Sequence, residues 1–265
     1  TLRYEHDRAM AALANAQDAV QRLSALTVAN DDDFETFRAM WERPHMHAVF
    51  TAHPTFLLSP HRSEAVAEAV LSGGEPRLRE APEEPEITLR YEHDRAMAAL
   101  ANAQDARDRM VRGVLREARR AFPDRWSELQ PLPFRFATWV GYDMDGRTDI
   151  KWYTSIAFRL AEKAQRLGRY ADRLAEIDPS HDLVATLRAA SGRARTSAAE
   201  FAGDLSDPEA LSAAANRLTK DGPDKLLSLA PLIEQLESDA AAGDAERAIA
   251  LHTLVAAMRA DGLGM

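Results

Sequence analysis

Along most of the chain apolar residues recur three and four positions apart, the spacing that lines one face of an α-helix. The pattern predicts helices near Thr1–Leu26, Asp32–Glu42, Pro60–Leu71, Thr88–Ala121, Asp149–Ile177, His181–Phe201, Pro208–Leu218, Asp224–Ala242 and Asp244–Met258. Asp207 before Pro208, and Gly222-Pro223-Asp224 before Lys225, set proline near a helix start, where its missing N–H does no harm. Two segments break the helical period. "HAVFTA" (His47–Ala52) leads into His53, and "FRFATWV" (Phe134–Val140), rich in aromatic and β-branched residues, stops at Gly141. Two short apolar strands among many helices predict inner strands covered on both faces, as in an α/β barrel or a buried sheet. Alone they cannot close a barrel. "SGGEPRLREAPEEPEI" (Ser72–Ile87), rich in Gly, Pro and Glu, predicts an exposed loop.

One regularity has another origin. "TLRYEHDRAMAALANAQDA" stands at Thr1–Ala19 and again, unchanged, at Thr88–Ala106. Solenoid repeats diverge and recur more than twice, so an exact pair signals a recent duplication or a join rather than a repeat architecture.

Composition narrows the function. The 265 residues carry a net charge of -9, against the basic face that nonspecific nucleic-acid binding needs. There is no cysteine, which excludes disulfides and thiolate chemistry and fits a reducing cytoplasm. No apolar run approaches the roughly 20 residues of a membrane span.

Three groups of residues could carry chemistry. In "GYDMDGRTD" (Gly141–Asp149), Asp143 and Asp145 are two carboxylates two positions apart beside Gly146, after a strand and before a helix. The calcium-loop spacing fails, and the plainer reading is a turn with Thr148 or Asp149 capping the next helix. His45, His47 and His53 share parity on an extended segment and, with His61, could suggest a metal site, but no acidic residue lies among them beyond His45. Pro54 disfavours helical geometry at His53, against a helical phosphotransfer histidine. The arginines of Arg107–Arg120 and Arg159–Arg173 read as the solvated faces of amphipathic helices, and Trp139, Tyr142, Trp152 and Tyr153 as core.

In order, "VFTAHPT" (Val49–Thr55) and "FRFATWVGYDMDG" (Phe134–Gly146) resemble the two motifs of phosphoenolpyruvate carboxylase, "LTAHPTE" and "RFTSWMGGDRDGNP". The resemblance covers about Val49 to Ile177. It implies a mainly α-helical α/β fold, part of a barrel wrapped in helices, with 1–46 as leading helices, 47–177 carrying both motifs and 178–265 helical. It implies carboxylation of phosphoenolpyruvate with bicarbonate to oxaloacetate and phosphate, with Mg or Mn, in the cytoplasm, with neither nucleic acid nor membrane as partner. His53 would serve the carboxylation step. Thr55, Arg135, Asp143, Asp145, Gly146 and Arg147 would bind substrate or support the loops.

This sequence departs from the family pattern at Phe56, Tyr142, Met144 and Arg147. Methionine cannot reproduce a guanidinium fork beside an anion. Family members are several times longer, and their metal carboxylates and phosphate loop come after the part matched here. The expectation is therefore a chain inactive alone, completed by a further barrel segment or by a homo-oligomer. The alternative is a noncatalytic binding or regulatory protein on the same scaffold.

Overall fold

The structure, a computed structural model, describes residues 34–51, 59–77, 86–145 and 147–264. Among these, helix α1 (Phe34–Trp41) precedes strand β1 (Met46–Phe50), α2 (Pro60–Ser72) and the long α3 (Leu89–Ala121). A 3₁₀ turn (Trp126–Glu128) leads to β2 (Phe134–Thr138). Five further helices come after it: α4 (Trp152–Ile177), α5 (Asp182–Phe201), α6 (Pro208–Thr219), α7 (Ala230–Ala241) and α8 (Ala245–Asp261). The fold is thus mainly helical, with two strands among the described residues, as the periodicity predicts. None of the described helices is long and apolar enough to cross a membrane.

Helix starts obey local chemistry. The Thr88 hydroxyl accepts from Tyr91 N at 3.1 Å to open α3, and Asp207 accepts from Ala210 N at 2.9 Å to open α6 ahead of Pro208. Asp244 accepts from both Glu246 N and Arg247 N at 3.0 Å to open α8. Two starts differ from expectation. Residues 225–229 are not helical, because Pro231 sits in the first turn of α7 and a helix running through it would lose a backbone hydrogen bond and clash. The segment 222–225 is a turn, with Asp224 held by Arg193 at 2.9 Å. Helix α4 begins after Lys151, not under a Thr148 or Asp149 cap.

Helix α8 is the pivot of the interior. Its "LHTLVAAM" stretch is apolar apart from His252 and Thr253, and the Thr253 hydroxyl is absorbed by the Ile249 carbonyl at 2.7 Å, so the helix can be buried nearly all round. Leu251, Leu254 and Met258 pack with Leu167 and Leu174 of α4, Leu187 of α5 and Leu236 of α7. Ile249 and Ala256 pack the other way, onto Trp41 of α1 and Leu115 of α3. A smaller core joins α4, α5 and α6 through Phe201, Leu205 and Ala214.

The strands pair in parallel, Met46 opposite Phe134 through Phe50 opposite Thr138. Among the described residues nothing covers them on both faces as the apolar runs predict. The elements packed on them are α3 and α8, and Met46 and Val49 stay 48% and 50% exposed. The predicted helix at Thr1–Leu26 and the centre of the Ser72–Ile87 loop lie outside the described residues; 73–77 and 86–88 are neither helix nor strand.

Candidate functional site at the carboxyl ends of the strands

In-register parallel pairing has a direct consequence: the chain leaves both strands at the same end. Phe50 and Thr138 are partners, so the two strands that precede the sequence motifs end side by side. The Thr138 hydroxyl ties the two strand ends together. It donates to the Phe50 carbonyl at 2.8 Å and accepts from Val140 N at 3.2 Å. A β-branched residue with a hydroxyl suits both the strand and this latch.

Beyond the latch the second loop turns at Gly141, whose φ of 92° lies in the left-handed region, and Tyr142 N closes the turn on the Trp139 carbonyl at 2.9 Å. A Cβ at Gly141 would fall 2.3 Å from Phe158 Cδ2, so the helix α4 ring reads this position as glycine. The turn drives Tyr142 inward. Its phenol donates to Glu162 Oε1 at 2.6 Å, and the same oxygen meets His93 Nε2 at 3.3 Å. Burial, with the Glu162 carboxylate beside it, pushes the Tyr142 phenol well up, so it stays a donor. The His93 ring stacks on Phe158, centroids 4.0 Å apart and planes within 5°. Glu162 is 1% exposed, and its Oε2 has no hydrogen-bond partner.

Sequence reasoning missed this triad. A signal existed: Glu162 and Arg166 continue the i, i+4 row from Phe158 toward Tyr170, the inward row of α4. Arg107 and Asp108 interrupt the inward face of α3 in the same way. The arginine-rich helices are accordingly not solvated throughout. Arg107, 2% exposed, forks onto both oxygens of Asp261 at 2.7 Å and holds Asp108 at 2.9 Å, while Arg166 approaches Asp261 at 3.4 Å. A guanidinium fork matching a carboxylate is the strong form of such a pair.

The predicted site residues divide. Asp143 and Asp145 are exposed on the loop, and Asp143 Oδ1 accepts from Asp145 N at 3.3 Å, the turn geometry expected of an Asp two residues ahead. Arg147 is occupied: it grips Asp149 at 2.8 and 2.6 Å and reaches Glu92 of α3 at 3.1 Å. The Arg147 contact holds the Asp149 carboxyl below its usual range, and the fork explains why Asp149 does not serve as a cap. Arg147 therefore supports the loop. Arg135 lies elsewhere, exposed on β2 three residues, about 10 Å, before the strand's end. Its register partner is His47, and the two line a groove of about 430 Å³ with Arg259 and Asp261. His53, Thr55 and Gly146 lie outside the described residues.

His45 donates to the Met40 carbonyl at 2.6 Å and His61 Nδ1 sits 3.0 Å from Ser59 Oγ, each engaged locally. Among the described residues no three His, Asp or Glu side chains converge to hold a metal ion. Asp143 already serves its own loop, so no cation ligation is assigned to these carboxylates. The aromatic residues also differ from expectation. Tyr142 is partly buried in the triad, whereas Trp139 and Trp152 are 55% and 46% exposed at the loop's two ends.

Comparison of the chain with protein-family models, with curated proteins and with solved structures found no match.

Proposed function

We propose that this chain is a segment of a phosphoenolpyruvate carboxylase-like barrel, whose complete form joins bicarbonate to phosphoenolpyruvate to give oxaloacetate and phosphate. One observation supports the reading: two strands lie parallel and in register, so the strands that precede "TAHPT" and "GYDMDG" in the sequence end side by side. In α/β folds with parallel strands, ligands bind outside the carboxyl ends of the strands, where loops from several strands meet. In the sequence His53 comes three residues after β1, whose last residue, Phe50, accepts a hydrogen bond from Thr138. Near neutral pH an imidazole can pass a proton or stabilise developing negative charge, the role the carboxylation step would ask of it.

The open sheet supports a partner as well. Both strands have one neighbour among the described residues, and Met46, Val49 and Trp139 remain about half exposed. Parallel sheets are normally covered on both faces, so further strands, from the same polypeptide or from another copy, complete the barrel. The isolated chain is then inactive.

A second reading has its own observation. Arg147 is spent on Asp149 and Glu92, and Met144, 54% exposed, stands where the family has arginine. A loop without a free guanidinium fits a noncatalytic binding or regulatory role on the same scaffold. The deciding experiment is oxaloacetate formation by the product of the entire reading frame, with phosphoenolpyruvate, bicarbonate and Mg²⁺ or Mn²⁺. Activity that His53→Asn abolishes supports the carboxylase. A folded, inactive full-length protein sinks it and leaves the binding role.

A further inference from the structure

Two stretches of this chain are identical, and the structure shows what one of them does. Thr88–Ala106 forms the cap and first half of α3. The residues it buries, Glu92, His93, Ala96, Met97, Leu100 and Gln104, all lie inside the repeated stretch. The surface that receives them is specific. Phe158 and Glu162 take His93, Arg147 takes Glu92, and Val140 with Phe50 takes Ala96. Thr1–Ala19 holds the same side chains at Glu5, His6, Ala9, Met10, Leu13 and Gln17. Whatever this face contributes to docking, both copies offer it equally.

The copies part company at their carboxyl ends. Ala106 runs into Arg107 and Asp108, Ala19 into Val20 and Gln21. Arg107 is the residue that forks onto Asp261 of α8. Further on, Val111, Val114, Leu115 and Ala118 are buried in the core, whereas the equivalent positions after the first copy are Ser24, Thr27, Val28 and Asp31. Selection between two identical faces must therefore come from outside the repeat. A buried polar pair that fixes register is an attested use of such pairs.

The first copy also has the reach. Phe34 packs on Phe122, ring centroids 5.3 Å apart, at the far end of α3. Phe122 is sixteen residues past Ala106, about 24 Å along a helix. The residues 20–33 between Ala19 and Phe34 span up to roughly 50 Å when extended. A tether of that length keeps the first copy at an effective concentration on the order of millimolar.

We propose that the surface built by α4 and the loop after β2 is a docking site for this 19-residue sequence, that Thr1–Ala19 of the same chain is its competing occupant, and that Arg107 and the apolar positions after it keep the second copy seated. The inference is independent of the carboxylase reading.

The chain has no cysteine, so a single introduced thiol reports cleanly. In the full chain, Ala9→Cys and Ala96→Cys are made separately and their alkylation rates compared. Val20→Arg with Gln21→Asp then extends the first copy by two residues and leaves the seated copy untouched. Alkylation at position 9 is expected to slow several-fold and at position 96 to accelerate, with both changes independent of protein concentration. Adding Leu13→Asp, which places a charge where the seated copy has Leu100, is expected to cancel both. An unchanged rate at position 9 overturns the proposal. So does acceleration at 96 without slowing at 9, which is opening of α3 without exchange, and so does a concentration-dependent change, which assigns the site to a second copy of the chain. Ala96 is fully buried, so if its cysteine variant does not fold, the same slot would refuse Cys at position 9, and the pair Ala12→Cys and Ala99→Cys, at a partly buried position of the same stretch, decides instead.

Discussion

Gly141→Ala tests how the second motif loop is held against helix α4. Two penalties add. The backbone sits at φ 92°, which an L-residue adopts at about 1–2 kcal/mol. The new Cβ would lie 2.3 Å from Phe158 Cδ2 and 2.7 Å from Cε2. The ring has little room to retreat, because His93 is stacked on it at 4.0 Å. Overpacking of this kind costs about 1–3 kcal/mol. Together the substitution should destabilise the protein by about 2–5 kcal/mol. The two parts can be separated in a double-mutant cycle with Phe158→Ala, which by itself should remove about 3–5 kcal/mol. Without the ring, Gly141→Ala should cost only its backbone share, a coupling of about 1–3 kcal/mol. Urea unfolding of the four proteins, with slopes compared to confirm a common unfolded state, measures it. Equal costs in the two backgrounds would refute the argument that Phe158 is what demands glycine. A cost below about 0.5 kcal/mol would refute the loop geometry itself, since it is the range of an unconstrained surface site.

Arg107→Met should be destabilising by about 1–3 kcal/mol in the same assay, since it takes the fork from Asp261 and one partner from Asp108 and leaves them only Arg166 and Arg173, and Arg107→Lys should rescue little because an ammonium cannot fork. Burial lowers the pKa of His252, on α8 against Trp126, below its ordinary 6.5. The unfolded chain then binds the proton more readily, so this contribution is whole above pH 6.5 and is lost as pH falls toward the folded value. Thermal unfolding from pH 7.5 to 5 should show the decline, and His252→Gln should flatten it; an unchanged slope removes His252 as its cause.

Much of the architecture was legible because it is local. Helix α6 begins at Pro208 for reasons contained in Asp207 and Pro208, and α8 is buried because "LHTLVAAM" has no charged side to turn outward, only His252 and Thr253 among apolar residues. The strands at Met46–Phe50 and Phe134–Thr138 were visible in their β-branched and aromatic content. What failed was long-range. Asp149 reads as a cap until Arg147, which also grips the distant Glu92, competes for it, and Asp224 reads as a helix start until Arg193 takes it. Arg107 and Arg166 read as surface charges because their partner, Asp261, comes at the far end of the described chain.

The same division holds for the site. Order along the chain determined that two motif segments each come directly after a strand, because strand and turn propensities act over a few residues. Only the tertiary structure decided that these strands are parallel, neighbouring and in register, so that they end together and Thr138 can latch Phe50. It alone decided that Tyr142 and His93 share Glu162 and that Arg147 is spent within the protein. The physical reason is that hydrogen bonds and ion pairs between distant residues depend on where packing brings the backbones. In the repeated 19-mer the limit is complete: identical residues carry identical local information, so any preference between the copies rests on contacts made beyond them.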